Sequence, residues 1–193
     1  MHIYVVDHLP CLNNELRLCT GRSEQGVSPF GRTLAPYVRL DGSRYGPVSA
    51  VFSSALNRAK ESADICFGSS GIPIVYDDRL TALDYGKLHD TPMEEIVNNQ
   101  ERYVRVPFPG GESYEDMALR FHSFLAETAP QFEGEQVVII GHYATREILR
   151  HCCDSVPLEE VLRRDRPFQP RTKQDIAAYF AKADYKRFTY NSA

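Results

Sequence analysis

The sequence predicts an α/β fold: a three-layer sandwich in which a mainly parallel sheet is flanked by helices on both faces. Two observations carry this. Short apolar runs that read as buried strands alternate with amphipathic helical stretches through most of the chain, which is the pattern of crossover-connected parallel strands. Two of those strands, far apart in sequence, also end on histidines, His8 and His142. The carboxyl end of a buried strand is where α/β proteins place their chemistry.

The elements follow in order. Ile3, Val5 and Val6 form a first strand that stops at Asp7-His8 and is broken by Leu9-Pro10. Residues 9–27 are polar and rich in turn formers. Ser28 caps a helix expected over 29–40, with Pro29 in the first turn, and Asp41-Gly42-Ser43 closes it. A second strand is expected at 48–52, then a helix at 55–67 whose apolar positions follow the helical period, then a third strand at 72–76. Residues 77–111 read as a loop-rich insertion with one short helix at 92–99, long enough to act as a lid. An amphipathic helix at 112–132 precedes the clearest strand, 136–140. Helices at 144–153 and 157–164 follow, and 163–171 reads as an exposed connector. Strands at 175–180 and 185–190 around a Lys182-Ala183-Asp184 turn complete one domain over 1–193.

Composition narrows the function. The chain has 193 residues, of which 42% are hydrophobic and 25% charged, so it can build a sizeable core. The net charge is −4 with scattered Lys and Arg, which argues against nucleic acid, since phosphate backbones call for a basic face. A small anionic molecule needs only a local positive pocket and is the expected partner; a homodimer stays open. Cys11, Cys19, Cys66, Cys152 and Cys153 are odd in number and lack metal-ligand spacing. Reduced thiols, no basic-then-apolar leader and no apolar run of about 20 residues together predict a cytoplasmic location and no membrane partner. No cofactor and no metal are expected. A metal site from Asp7, His8, His142 and His89 lacks any helical His pair or Cys cluster.

The chemical candidates sit at strand and helix ends. Beside His8 and His142, the second strand leads into Ser53-Ser54 and then Arg58 on the first turn of a helix. Helix N-termini gather anions, guanidinium groups fork onto phosphate oxygens, and an imidazole is nucleophilic through one nitrogen when the other is held. The order and spacing resemble the histidine phosphatase superfamily, the branch that includes cofactor-dependent phosphoglycerate mutases. Its opening Arg-His-Gly-Glu with a later Asn is matched by Asp7-His8-Leu9-Pro10 and Asn14, followed by Gly21, Glu24, Val27-Ser28 and Gly31. Its Ser-x-Leu-x-Arg-Ala is matched by Ser54 to Ala59, its Pro-Gly-Gly-Glu-Ser by Pro109 to Ser113 with Arg120 on the helix, and its Val-Val-Ser-His-Gly by Val138 to Tyr143.

The resemblance implies a phosphoglycerate mutase-like fold, a phosphohistidine at His8, phosphate binding by Arg58 and His142, and a pocket lined by Asn14. Tyr143 narrows its mouth, and Glu112 of the Pro-Gly-Gly motif joins the substrate-binding set. Five positions depart from the pattern, two of them Leu9 and Tyr143, where the family favours Gly after each histidine. The usual acid is Ala82 in Leu80-Thr-Ala82-Leu-Asp-Tyr-Gly86, the usual Arg beside the nucleophile is Asp7, and the helix Arg after the second His is Glu147, with Arg146 one place early. A unit-charge pair at ~5 Å and an effective dielectric of ~20 is worth roughly 3 kcal/mol, so Asp7 facing the pocket opposes phosphate. Three readings stay open. The chain is a phosphatase or phosphotransferase whose proton comes from Asp7 or Asp84; or its pocket serves acid/base chemistry on a zwitterionic substrate; or it is a non-catalytic relative that binds a ligand or partner.

Overall fold

Residues 1–38, 46–163, 172–182 and 186–191 are described by the computed structural model. Strand β1 (His2–Asp7) sends Ile3 and Val5 into one core and Tyr4 and Val6 into another, because successive side chains of a strand point to opposite faces. A short helix, α1 (Leu12–Leu16), follows where the sequence predicts irregular chain; the Asn14 carboxamide oxygen accepts from the Cys11 backbone N–H at 2.9 Å and so closes its first turn. Helix α2 (Pro29–Thr33) begins on the Ser28 cap as expected, at 2.9 Å to Gly31 N–H, but passes into a 3-10 turn over Ala35–Val38. Pro36 has no N–H to continue an α-helical ladder, which shortens the helix expected over 29–40; residues 39–45 lie outside the described residues.

Strand β2 (Ala50–Ser53), helix α3 (Asn57–Phe67) and strand β3 (Ile74–Tyr76) come next. Helix α4 (Met93–Asn99) lies within the 77–111 segment. Helix α5 (Tyr114–Thr128) starts on a reciprocal Ser113–Asp116 cap and tightens into a 3-10 turn at Ala129–Phe132, where Pro130 falls. Strand β4 (Gln136–Gly141), helices α6 (Thr145–Asp154) and α7 (Leu158–Arg163), helix α8 (Lys173–Lys182) and strand β5 (Lys186–Thr189) finish the order. Helix α8 corrects the strand expected at 175–180. Thr172 and Asp175 cap each other's backbone N–H groups at 2.9 and 3.1 Å, and Ile176 and Phe180 are buried one helical turn apart. The connector expected at 163–171 lies almost wholly outside the described residues, as do positions 183 and 184 of the expected last turn.

The sheet has five strands in the order β3-β2-β4-β1-β5. The neighbours pair in parallel except β1 with β5, a mainly parallel sheet as predicted. Helices α5, α6 and α7 cover one face through residues such as Phe121, Ile148 and Leu162, against Ile3, Val5, Phe52 and Ile139. Helices α3 and α8 cover the other through Ala59, Ala63, Phe67, Ile176 and Phe180, against Val6, Val51 and Ile140.

Register then decides the site. Asp7 pairs with Gly141 across β1 and β4, and Ser53 pairs with Ile140 across β2 and β4. Three carboxyl ends therefore stop level with one another, which brings His8, Ser54 and His142 to one edge. The 77–111 segment is packed against the body: Leu80, Leu83, Tyr85, Ile96, Val104 and Phe108 belong to the core under α5. Its backbone is stitched to the chain after α1 by Cys19 N–H to Thr91 O at 2.8 Å and Met93 N–H to Arg17 O at 2.9 Å. Gly86, at φ +53°, lets it turn there; a Cβ would sit 2.3 Å from the Pro109 carbonyl oxygen. Among the described residues no helix is long and apolar enough to cross a membrane.

Candidate active site

The chain turns at Leu9 so that the His8 ring folds back on its own backbone. Nδ1 lies 2.7 Å from the Leu9 carbonyl oxygen, an acceptor, so the proton is assigned to Nδ1. Nε2 is left with its lone pair, and the Arg58 Nε–H donates to it at 3.2 Å. Arg58 comes from the first turn of α3 and is 1% exposed. Its Nη1 donates to Ser23 O at 2.9 Å and its Nη2 to Gly21 O at 2.6 Å and to His142 Nδ1 at 3.3 Å. One guanidinium thus bridges both imidazoles, whose ring centroids are 5.2 Å apart.

His142 is buried, and its Nε2 meets the Ser54 hydroxyl at 2.8 Å. Arg58 donates at Nδ1, so the proton is assigned to Nε2, which donates to the Ser54 hydroxyl; that hydroxyl can also donate, so the opposite tautomer requires only that Arg58 Nη2 release Nδ1. Ser54 thus serves as a partner of His142 and not as a helix cap: the N-cap of α3 is Leu56, with no side-chain bond. Burial first, and then the Arg58 charge, push the His8 pKa down to about 3 against the pull of the Leu9 carbonyl. The same two causes, with His8 third, hold His142 well below the ordinary imidazole range. Both rings are neutral at physiological pH.

A cavity opens over this pair. Its lining includes Asp7, His8, Asn14, Arg58, His142 and Tyr143, six of the residues singled out from sequence. The oxygen of the Asn14 carboxamide is taken by the Cys11 N–H and thiol, so Asn14 offers a ligand its NH₂ end. Arg146 and four residues the sequence did not single out, Arg17, Tyr85, Tyr179 and Phe180, are also part of the wall. Tyr179 and Phe180 were missed because 175–180 read as a strand, which hid the Thr172–Asp175 cap that marks a helix.

Asp7 is not alone. Its Oδ2 lies 3.2 Å from Arg146 Nη2 and accepts from the Tyr179 hydroxyl, which in turn accepts from Arg146 Nη1. Burial works against the Arg146 charge, but Asp7 and Tyr179 more than offset it and raise its pKa. The carboxylate that sequence placed against a phosphate therefore arrives with its own cation. Arg146 was noted as one place early; only the approach of α6 and α8 to the end of β1 makes it the partner of Asp7.

Glu112 and Asp84 are held elsewhere. Glu112 accepts from Arg120 at 2.8 Å, from Arg22 at 3.1 Å and from the Asp84 backbone N–H at 3.0 Å, while Asp84 faces Arg22, His89 and the Gly86 N–H. Neither lines the cavity. They form a charged clamp behind Ala82, whose carbonyl oxygen accepts from Arg120 at 3.2 Å. His89 belongs to this clamp and stays apart from His8 and His142.

The family model of the histidine phosphatase superfamily (branch 1) matches residues 6–169. The chain belongs to that superfamily. It is 27% identical over 150 residues to the probable phosphoglycerate mutase GpmB of Salmonella paratyphi B, covering 74% of this chain and 69% of that relative; the Salmonella newport protein matches to the same extent. Among solved structures it is similar to the mycobacterial glucosyl-3-phosphoglycerate phosphatase Rv2419c complexed with VO3, at 21% identity and a TM-score of 0.72 over 83% of this chain and 85% of that one. YhfR of Bacillus stearothermophilus gives 23% identity and a TM-score of 0.72 over 87% of each chain. A putative α-ribazole-5′-P phosphatase of Escherichia coli gives 15% identity and 0.69 over 83% of each. These structures share the fold.

In this superfamily member the cavity offers an anion two cations besides the Arg146–Asp7 pair, namely Arg58 and Arg17. Arg17 makes no side-chain hydrogen bond or ion pair among the described residues and sits at φ +60° at the end of α1. Helices α3 and α6 both begin at this edge and add the partial positive charge of their free N–H groups. A neutral imidazole with its lone pair turned to Arg58 can act there as a nucleophile or as a base.

Proposed function

We propose that the chain is a phosphomonoester phosphatase or phosphotransferase of small molecules that works through a phosphohistidine at His8. The observation that carries the reading is the Nδ1–Leu9 bond, which fixes the tautomer and leaves Nε2 as the attacking atom beside Arg58. In the first step Nε2 forms a bond to phosphorus as the ester P–O bond breaks. Arg58 and His142 hold the phosphoryl oxygens: as Arg58 Nη2 turns from His142 Nδ1 to a phosphoryl oxygen, the Ser54 hydroxyl donates to Nε2 and lets Nδ1–H donate to the same group. In the second step water attacks phosphorus and the P–N bond breaks, with its electron pair returning to Nε2; an acceptor alcohol in place of water gives transfer.

The Asp7–Arg146 pair favours this reading over a pocket reused for a zwitterion. The two charges lie within one ion pair, so at the phosphate they cancel in large part, and the opposition of roughly 3 kcal/mol per unit charge shrinks to their difference. Phosphatase names among the solved relatives support the reaction class; the substrates in those names, glucosyl-3-phosphoglycerate and α-ribazole-5′-P, differ from one another and select none for this chain.

The test is trapping. Wild-type protein mixed with an aryl phosphate and quenched in alkali is expected to carry a phosphoryl group on the peptide containing His8. His8→Gln is expected to lose that label, and its turnover is expected to fall by about 10³-fold or more. Turnover that survives His8→Gln would overturn the reading.

A further inference from the structure

An ester oxygen leaving phosphorus needs a proton unless it is stable as an anion. Position 82, where the resemblance puts the donor, is Ala82, and the clamp residues Asp84 and Glu112 do not reach the cavity. Two carboxyl groups line it among the described residues, Asp7 and Glu147. Asp7 is bonded to Arg146 and Tyr179, so its Oδ2 already serves as their acceptor. Tyr179 is no substitute, because burial and then Asp7 raise its pKa.

Glu147 enters from the first turn of α6, beside Arg146. Every Cα–Cβ bond of a helix tilts toward its N-terminus, so first-turn side chains of α6 lean back over the carboxyl edge of the sheet. Burial is the main cause that lifts the Tyr85 and Tyr114 phenols well above their ordinary range, and the Glu147 carboxylate contributes to both. Tyr85 lines the cavity three residues beyond Ala82. Glu147 therefore shares one cavity with Ala82 and Tyr85, where the missing donor belongs.

We propose that Glu147 is the proton donor to the leaving-group oxygen, standing in from α6 for the carboxyl absent at position 82. The proposal rests on the reading of His8 as phosphoryl acceptor. In the first step the Glu147 carboxylic acid gives its proton to the ester oxygen as the P–O bond breaks, releasing an alcohol and leaving Glu147 as carboxylate. In the second step that carboxylate takes a proton from the attacking water as the P–N bond breaks. Phosphate leaves, and His8 and Glu147 return to their starting states.

The experiment compares two esters on the intact chain: 4-nitrophenyl phosphate, whose phenolate leaves without a proton, and a simple alkyl phosphate, whose alkoxide does not. In Glu147→Gln the ratio of alkyl to aryl kcat/KM, which reports only the steps through cleavage of the P–O bond, is expected to fall by about 10²-fold, and Glu147→Asp, which keeps a carboxyl, is expected to recover part of it. The phosphoenzyme burst with the aryl ester, which needs no proton from Glu147, is the internal control for folding. A ratio within about threefold of wild type in Glu147→Gln, whether both rates drop together or neither drops, overturns the assignment. Turnover that needs Glu147 but survives His8→Gln sinks the phosphohistidine reading alone. A wild-type chain that turns over neither ester sinks both.

Discussion

Asp7 shares its Oδ2 between the Arg146 guanidinium and the Tyr179 hydroxyl, so its charge can be removed while its shape is kept. Asp7→Asn leaves Arg146 with an uncompensated positive charge inside the cavity. Inorganic phosphate, measured as a competitive inhibitor, is expected to bind about tenfold more tightly. That is a fraction of the roughly 3 kcal/mol of an unscreened pair, because the group is partly exposed to solvent and salt. Arg146→Ala strands the Asp7 carboxylate instead, and the expected shift is in the opposite direction. Equal phosphate affinity in all three proteins would mean that the pair faces away from the ligand. At the same scale, His8 and His142 were legible as strand-end histidines, and Arg58 and Asn14 by their spacing from them. Arg146 and Tyr179 were not, because nothing in their own neighbourhoods marks a contact with Asp7.

At the scale of elements, the 77–111 segment depends on the clamp behind Ala82. Glu112 receives two bonds from the largely buried Arg120 and one from Arg22, and both arginines also donate to the Ala82 carbonyl. Removing the shared acceptor leaves the Arg120 charge buried without its counter-ion. Glu112→Ala is expected to cost about 3 kcal/mol of stability in urea melts. It is also expected to speed proteolytic cleavage within 77–111 relative to the rest of the chain. A variant that melts and digests like wild type would show that the core contacts of Leu80, Tyr85 and Phe108 suffice to anchor the segment. Sequence flagged Glu112 through the Pro-Gly-Gly motif, yet the motif's geometry is that of a clamp. Gly111 packs onto the Asp84 carbonyl, where a Cβ would come within 2.2 Å.

For the molecule as a whole, two buried neutral imidazoles make stability depend on pH. In the unfolded chain each binds a proton below about pH 6.5, whereas folded His8 does so only near 3 and folded His142 is likewise depressed. Between those limits the unfolded state holds more protons, so stability rises with pH and is lost as pH falls from about 6.5 toward about 3. The slope is about 1.4 kcal/mol per pH unit for each such histidine. His142→Gln is expected to flatten the curve below about pH 6.5 by roughly one such increment per pH unit. A variant curve parallel to wild type across that window would show that His142 titrates normally in the folded protein.

Local pattern alone determined much of this chain. Apolar patterning placed all five strands and most helices, and strand-end histidines at the ends of runs 3–6 and 136–140 marked the edge where the site lies. The pattern erred where a tertiary-independent signal was overlooked, as at the Thr172–Asp175 cap of α8, or where proline cut a helix short, as at Pro36. What only the tertiary structure decided is the charge of the cavity. Register sets Asp7 level with Gly141, and α6 and α8 then close over the end of β1 from opposite faces of the sheet. That places Arg146 and Tyr179 on Asp7, and Glu147 in the wall of the same cavity. Electrostatic energy depends on distances between groups that are remote in sequence, so an aspartate that reads as an obstacle to phosphate becomes, once folded, half of an ion pair.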